Sequence, residues 1–159
     1  MDTPHISVVI PAYNEDACIG RTIAEVAAEL EQLGVPWELI VADDGSVDGT
    51  AAAVRDRQRA DPRIKLVSLT HRGKGAAVKQ GMLAATGAWR FLADADLSMP
   101  IRELRLFLPP SEEVTADILI GSREVAGSAR LEEPHYRHAL GRFFNWVAKM
   151  LVVPGIEDT

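Results

Sequence analysis

Short apolar runs, rich in β-branched side chains, alternate along the chain with longer segments whose apolar residues recur every three or four positions. Short β-branched runs bounded by turn residues are typical of buried strands. We expect the first run to end at Pro11, because proline removes a donor from a strand ladder. The pattern predicts five strands, at residues 6–10, 37–42, 64–69, 88–93 and 116–121.

The segments between these runs predict helices. In the first segment, from Asn14 to Leu33, apolar side chains repeat at helical spacing along one face, and Gly34 supplies a helix end. The next helix can be capped by Ser46 or Asp48. The remaining pattern predicts helices over residues 46–59, 73–85, 100–108 and 134–152, with a loop at residues 122–134.

The strict alternation of strands and helices predicts right-handed βαβ units, and therefore a mainly parallel sheet with helices on both faces. The chain contains no internal repeat, low-complexity tract or interdomain linker. We therefore expect one doubly wound α/β domain over residues 1–159. In such sheets, ligands bind beyond the carboxyl ends of the strands.

Polar residues follow each of the five predicted strands. Because the carboxyl ends of parallel strands meet at one edge of a sheet, we expect these residues to lie close together. The carboxyl edge is therefore the predicted functional site. The five clusters are Pro11 to Glu15, Asp43 to Ser46, His71 to Gly75, Asp94 to Asp96 and Gly121 to Arg123.

Two carboxylates, Asp94 and Asp96, come directly after the apolar run "FLA". If the strand continued, side chains two residues apart would point the same way. Two close carboxylates attract a hard divalent cation, and Mg²⁺ commonly combines one or two of them with phosphate oxygens of a substrate. The alternative is that both acids cap the next helix or face solvent.

The stretch "HRGKGAA" has the composition of a phosphate site. Gly73 and Gly75 allow close approach of the backbone, Lys74 adds a positive charge, and the helix that follows presents N–H groups. The Walker pattern and the dinucleotide fingerprint are both absent. An ordinary glycine-rich helix start is the alternative.

The other strand ends offer groups that suit a nucleoside. Asp43 and Asp44 can accept hydrogen bonds from a base or a ribose, whereas Asp48 is better explained as a cap or turn residue. Tyr13 can stack on a base and Glu15 can act as an acceptor, although either could instead pack at a helix start. Taken with the metal and phosphate clusters, these groups predict a nucleotide-diphosphate site.

Composition narrows the function further. The formal net charge of −6 argues against a nucleic-acid binder, and 47% hydrophobic residues suffice for a real core. Cys18 is the only cysteine, so no intrachain disulfide can form. No run of about 18 apolar residues is present to span a bilayer. The N-terminus lacks the features of a signal peptide, and we expect a cytoplasmic location.

The motifs "SVVIPAYNE", "VADDGSVDGT", "RGKGAAVKQGMLAATG", "FLADADLSMP" and "GSR" follow one another in the order and spacing found in family 2 glycosyltransferases. The chain therefore resembles that family over residues 6–159. The similarity is strongest to members that use polyprenyl phosphates, the dolichol-phosphate mannosyl- and glucosyltransferases. The resemblance implies a Rossmann-like GT-A fold that binds a nucleotide sugar.

The resemblance also implies roles for the donor side of the site. In the family pattern, a nucleotide-binding start, two acids for base and ribose, a basic residue near the diphosphate, and a metal-binding acid pair follow in turn. We expect Asp96 to be the direct ligand of Mg²⁺ or Mn²⁺, with Asp94 beside it. The matching nucleotide-sugar residues are Pro11, Tyr13, Glu15, Asp43, Asp44, Lys74 and Asp94.

On the acceptor side, Arg123 matches an arginine placed toward the acceptor phosphate, and Asp158 matches the candidate catalytic base of the family. The family motif around Asp158 continues further than Thr159, so we expect a chain that is truncated at its C-terminus. The predicted helix at residues 134–152 carries a basic stripe beside an aromatic face. It could lie at a membrane surface, or it could simply dock on the sheet.

The predicted function is inverting transfer of a hexose from UDP-glucose or GDP-mannose to a polyprenyl phosphate, at the cytoplasmic face of a membrane. "DADLS" followed by Met-Pro favours the glucosyl branch. Two alternatives remain open: the same enzyme class with a soluble or glycan acceptor, and a nucleotide-binding module that is inactive as truncated.

Overall fold

The computed structural model describes residues 4–108 and 117–121. Residues 4–108 belong to one compact unit and residues 117–121 to a second, so the expectation of a single domain stays a prediction. The predicted loop at 122–134, the predicted helix at 134–152, Arg123 and Asp158 all lie outside the described residues.

The first unit alternates strands with helices, as the hydrophobic pattern predicts. Four of the five predicted strands are present, each within about two residues of its expected limits. The strands are β1 (Ile6–Ala12), β2 (Trp37–Asp43), β3 (Ile64–Ser68) and β4 (Trp89–Leu92). The helices are α1 (Ile19–Leu33), α2 (Thr50–Ala60) and α3 (Lys74–Ala84), followed by a 3₁₀ turn (Ile101–Glu103) that leads into α4 (Leu104–Phe107).

The four strands form one parallel sheet in the order β3-β2-β1-β4. The first three strands are added in one direction, and the chain then crosses back over β2 and β1 to place β4 on the other side. The strand order therefore reverses between β1 and β4. A parallel α/β sheet opens a crevice at such a point, beyond the carboxyl ends of the strands.

The sheet is covered on both faces, as predicted. On one face, Ile6, Val8 and Ile10 of β1 pack with the buried side of α1 and with Val54 of α2 in the main core. On the other face, α3 lies so close that a Cβ at Gly81 would stand 2.4 Å from Val9 Cγ1. The glycine thus lets α3 sit directly above the centre of the sheet.

Two boundaries differ from the sequence prediction. β1 continues through Pro11 to Ala12, because β4 pairs with β1 only as far as Val9 and the missing N–H of Pro11 lies past the end of that ladder. The first helix begins at Ile19, five residues later than expected, because Asn14 has a φ of +56° and belongs to a loop.

The prediction of a fifth strand at residues 116–121 is wrong for the part that the structure describes. Residues 117–121 have no regular secondary structure, and Ile118 and Ile120 are exposed. A β-branched run favours an extended chain, but a strand also needs a neighbour to pair its backbone groups.

No described helix combines the length and apolar character that crossing a bilayer requires.

At the opposite edge of the sheet, where the strands begin, a buried carboxylate accepts hydrogen bonds from three neighbouring segments. Glu38 of β2 accepts hydrogen bonds from Ser7 Oγ (2.5 Å), Lys65 Nζ (2.6 Å) and the Thr86 backbone N–H (2.6 Å). Burial raises the pKa of Glu38, but the bonds from Lys65, Ser7 and Thr86 outweigh it and lower the pKa to about 2. The network therefore fixes the carboxylate in its charged form.

We predict that this network makes the fold acid-sensitive. Because the pKa of Glu38 lies below that of an unfolded glutamate, its contribution is full above about pH 4.5 and is lost as the pH falls toward 2. Glu38→Gln should lower the free energy of unfolding at pH 7 by about 3 kcal/mol, measured by urea denaturation. The difference in the free energy of unfolding between Glu38→Gln and the wild type should shrink at acidic pH.

The matched control is Glu25→Gln on the exposed side of α1; among the described residues, the Glu25 carboxylate pairs with Arg21 at 3.8 Å. It should change the free energy of unfolding by less than about 0.5 kcal/mol. Equal effects of the two substitutions would contradict the role assigned to Glu38.

Candidate functional site

A cleft of about 310 Å³ lies at the carboxyl ends of the strands. It brings together seven of the eight donor-side residues named from the sequence, all except Asp43. Its lining comes from the chain after all four strands, as the strand-end prediction expects. The lining residues are Pro11, Ala12, Tyr13, Glu15, Asp44, His71, Gly73, Lys74, Ala77, Asp94, Ala95 and Asp96.

Asn14 joins the loop after β1 to the loop after β2. Its backbone N–H donates to Ser46 Oγ (2.9 Å), and its side-chain Oδ1 accepts from the backbone N–H of Val47 (3.0 Å). The left-handed backbone of Asn14 makes both bonds possible, and asparagine tolerates that conformation well. This role was not predicted from the sequence, although an asparagine in a loop after a strand is a signal for it.

The same two loops are joined a second time around Thr50, the first residue of α2. Thr50 Oγ1 accepts from the backbone N–H of Glu15 (2.8 Å) and donates to Asp48 Oδ1 (2.5 Å). The Thr50 hydroxyl is the main reason why the pKa of Asp48 lies below its usual range. Asp48 is therefore a helix-start and turn residue, as the sequence suggested, and Glu15 is held at the rim of the cleft.

The side chain of Asp44, the residue after β2, binds the loop that follows β3. Its buried carboxylate accepts from the backbone N–H groups of Arg72 (2.9 Å) and Gly73 (2.8 Å), and it lies 2.8 Å from His71 Nδ1. The Arg72 N–H is the largest influence on its pKa, which is lowered despite burial, with further help from Gly73 and His71. Asp44 therefore stays ionised and orders the start of α3.

Asp43 occupies a different environment from Asp44. It is buried at the end of β2, and its Oδ1 accepts from the backbone N–H of Ser46 at 3.2 Å. Successive side chains of a strand point to opposite faces, so Asp43 lies on the face of Leu39 and Val41 while Asp44 lines the cleft. The predicted contact of Asp43 with a nucleotide remains a prediction.

Tyr13 and His71 form a stacked aromatic pair at the cleft. Their ring centroids are 4.2 Å apart and their planes differ by 23°. Tyr13 follows β1 and His71 follows β3, so the pair spans the position of β2 between them. An exposed aromatic surface of this kind can receive a flat ring such as a nucleobase.

Lys74 stands at the start of α3 and reaches across the cleft to Asp94, with Nζ 2.7 Å from Oδ1. Gly73, which precedes it, has a φ of +93° that glycine adopts without strain. Both charged side chains are about half exposed or more, and an exposed pair contributes at most about 1 kcal/mol. Lys74 can therefore exchange Asp94 for another anion at little cost.

Asp94 and Asp96 lie in a turn and not on a continued strand. β4 ends at Leu92, and the backbone N–H of Leu97 donates to the carbonyl of Asp94 at 3.1 Å. Both carboxylates are nevertheless exposed to the cleft, while Ala95 between them is buried and its carbonyl accepts from Thr22 Oγ1 of α1 (2.5 Å). The acid pair predicted from the sequence is therefore present, but a turn builds it.

The acid pair of Asp94 and Asp96 suits a divalent cation that is bound partly by these carboxylates and partly by a substrate. Ser98 donates its hydroxyl (2.7 Å) and its backbone N–H (3.0 Å) to Asp96 and so holds the pKa of Asp96 below its usual range. Among residues 4–108 and 117–121, no group of three metal-binding side chains occurs. One or two carboxylates completed by phosphate oxygens is a usual arrangement for Mg²⁺.

Comparison with known proteins identifies what this chain is similar to. The family model described as "Glycosyl transferase family 2" matches residues 7–157. A dolichyl-phosphate beta-glucosyltransferase of Trichomonas vaginalis is 32% identical over 166 residues, which cover 98% of this chain and 49% of that protein. The dolichyl-phosphate beta-glucosyltransferase of Dictyostelium discoideum is 30% identical over 172 residues, which cover 100% of this chain and 53% of that protein.

A solved structure provides a third comparison. The mannosyltransferase PcManGT from Pyrobaculum calidifontis, in complex with GDP-Man and Mn2+, superposes with a TM-score of 0.54 and 31% identity. The match covers 65% of this chain and 30% of that one. The chain spans about half the length of the curated relatives it matches.

Gly45 provides a test of how tightly the strand-end loops are packed. It has a φ of +76°, and a Cβ there would stand 2.9 Å from the backbone nitrogen of His71 and 3.2 Å from the Leu69 carbonyl. We predict that Gly45→Ala lowers the free energy of unfolding by about 2 to 3 kcal/mol, since strain and overpacking add. Urea denaturation measures the loss.

Gly20→Ala is the matched control, because Gly20 lies in α1 and no atom of the described residues outside its immediate surroundings in the helix stands within 4 Å of the added Cβ. Alanine favours a helix, so the control should raise the free energy of unfolding by about 0.5 to 1 kcal/mol. A neutral Gly45→Ala would refute the close approach of the two loops.

Proposed function

The chain belongs to glycosyltransferase family 2, and from this premise we propose that it forms the donor-binding part of an enzyme that transfers a hexose from a nucleotide-diphosphate sugar to a polyprenyl phosphate. The predicted GT-A fold is confirmed. The observation that carries the proposal is the cleft in which a cationic helix start and an acid pair face an aromatic pair.

The layout of the cleft supports a nucleoside diphosphate as ligand. Its Tyr13–His71 pair suits the nucleoside, while Lys74 and the start of α3 suit the diphosphate. The first turn of any α-helix has N–H groups without intrahelical acceptors, which favours an anion there. Gly73 keeps that first turn accessible because it has no side chain.

The departing diphosphate accumulates negative charge as the sugar leaves. Lys74 would stabilise that charge after exchanging Asp94 for a phosphate oxygen, and the N-terminus of α3 would add a fixed positive potential. Asp96 and Asp94 would hold Mg²⁺ or Mn²⁺, which when bound supplies further neutralisation of the diphosphate. The Mn2+ bound with GDP-Man in the similar mannosyltransferase supports this assignment.

The acceptor is proposed from the relatives whose names carry dolichyl phosphate and whose alignment extends over nearly the whole chain. A phosphate acceptor is already anionic at neutral pH, so it needs little help from a general base. We propose Arg123 as a contact for that phosphate and Asp158 as a residue that positions it. Attack from the face opposite the leaving group would invert the anomeric centre.

The donor proposed first is UDP-glucose, because the two curated relatives described above, which align over nearly the whole chain, are named as glucosyltransferases. GDP-mannose is the second candidate, since the similar solved enzyme is a mannosyltransferase bound to GDP-Man. A polyprenyl acceptor would place the reaction at a membrane surface, with the donor on its cytoplasmic side. A soluble acceptor is the alternative that an assay with both acceptor types separates.

We predict that UDP or GDP raises the melting temperature in the presence of Mn²⁺. At a 100-fold excess over Kd, a ligand stabilises the folded state by about 2.7 kcal/mol, which corresponds to a rise of about 5 to 10 °C for a chain of this size. Asp96→Asn should abolish the part of the rise that depends on Mn²⁺.

The matched control is Asp56→Asn in α2, where the side chain is exposed and, within the part of the chain that the structure describes, pairs with Arg59. It should retain the full Mn²⁺-dependent rise. A melting temperature that responds to no nucleotide, with or without metal, would refute the proposed function. Transfer of labelled hexose to a soluble acceptor but not to dolichyl phosphate would refute the proposed acceptor alone.

A further inference from the structure

His71 lines the cleft and shares the aromatic stack with Tyr13, but its ring nitrogens have no role assigned to them. It follows β3 in the loop that leads to Lys74, and its side chain is about half exposed. Two other residues of the cleft contact its ring. Asp44 approaches one ring nitrogen and Tyr13 covers one ring face.

Asp44 determines which ring nitrogen of His71 carries hydrogen. Nδ1 lies 2.8 Å from the Asp44 carboxylate and 3.1 Å from the Asp44 backbone carbonyl. Both of these oxygens are acceptors, so a hydrogen on Nδ1 satisfies the contact, whereas a lone pair there would oppose two others. The neutral ring is therefore held as the tautomer whose Nε2 is an acceptor.

Tyr13 determines the plane of the same ring. The stack at 4.2 Å fixes the imidazole face, while the contacts at Nδ1 fix its rotation within that plane. Within the described part of the chain, Nε2 has no hydrogen-bond partner. His71 therefore presents one polar atom of defined direction and character at the cleft.

The position of His71 matches the nucleoside end of a bound donor. It follows β3 at one edge of the sheet, whereas Asp94 and Asp96 follow β4 at the other edge. The His71 ring reaches over the end of β2 to Tyr13, and Lys74 leads from the same loop to Asp94. A nucleoside beside His71 would therefore have its phosphates toward Lys74 and the acid pair.

We propose that His71 is a specificity-determining residue that contacts the nucleoside part of the donor through Nε2, with Asp44 and Tyr13 as its positioning residues. This inference rests on the proposed function, because it assumes a nucleoside diphosphate in the cleft. It also gives Asp44 an indirect role: with its carboxylate already bound to the loop, Asp44 acts on the nucleoside through His71.

The test compares the binding of UDP, GDP and inorganic diphosphate, in Mn²⁺, by isothermal titration calorimetry. His71→Asn keeps an N–H near the position of Nδ1 and removes both Nε2 and the aromatic ring. It should weaken the binding of the preferred nucleoside diphosphate about tenfold and leave inorganic diphosphate within about twofold, since only the nucleoside contact is lost. His5→Asn is the control, on an exposed histidine at the opposite edge of the sheet.

A second measurement observes the His71 ring in the wild-type protein. In wild-type protein labelled with ¹⁵N-histidine, the neutral His71 ring should show the tautomer protonated at Nδ1, and the Nε2 signal should shift when the preferred nucleotide is added. His71→Asn or His71→Gln identifies the signal. Asp44→Asn should weaken the preference for that tautomer, an effect that a merely structural role would not produce.

Three results would overturn the role of His71 without touching the proposed function. They are nucleotide affinity that is unchanged in His71→Asn, a loss that is equal for inorganic diphosphate, and an Nε2 signal that is insensitive to nucleotide. Failure of the wild-type chain to bind any nucleoside diphosphate would overturn the proposed function as well, and so the two failures are distinguishable.

Discussion

The buried carboxylate of Asp44 is the interaction on which the rest of the site depends. Asp44 directly follows β2 and holds the backbone of Arg72 and Gly73, so it fixes where α3 begins. The start of α3 in turn carries Lys74 to Asp94 on the far side of the sheet. Asp44 thus joins the second strand end to the third, Lys74 joins the third to the fourth through Asp94, and Asn14 joins the first to the second through Ser46.

The two edges of the sheet use buried charge for different purposes. Where the strands begin, Glu38 has donors from Ser7, Lys65 and Thr86, and the network serves stability. Where they end, the acids are only partly satisfied by the described part of the protein: Asp96 is held there by Ser98, and Asp94 by an exposed lysine. Acids in a cleft whose oxygens can still accept hydrogen bonds or bind a cation are available to a ligand.

Much of this arrangement could be predicted from the sequence, because the alternation of strands and helices determines which ends of the strands meet. Pro11, Tyr13, Asp44, Lys74 and Asp96 were each placed at the cleft from that rule. What the pattern could not give were contacts set by loop geometry, such as the Asn14 bonds and the turn that builds the acid pair. Residues 117–121 are a case in which the pattern predicted a strand that is not formed, since strand propensity cannot supply a pairing neighbour.

The central claim is that four strand ends form one site for a nucleoside diphosphate and its cation. A crystal structure of the chain with Mn²⁺ and UDP or GDP, using the anomalous signal of manganese, tests it most directly. The account predicts a manganese peak within coordination distance of the Asp96 carboxylate and the diphosphate, Lys74 turned toward a phosphate oxygen, and the nucleoside beside His71. A nucleotide bound elsewhere, or manganese with no contact to Asp96, would contradict it.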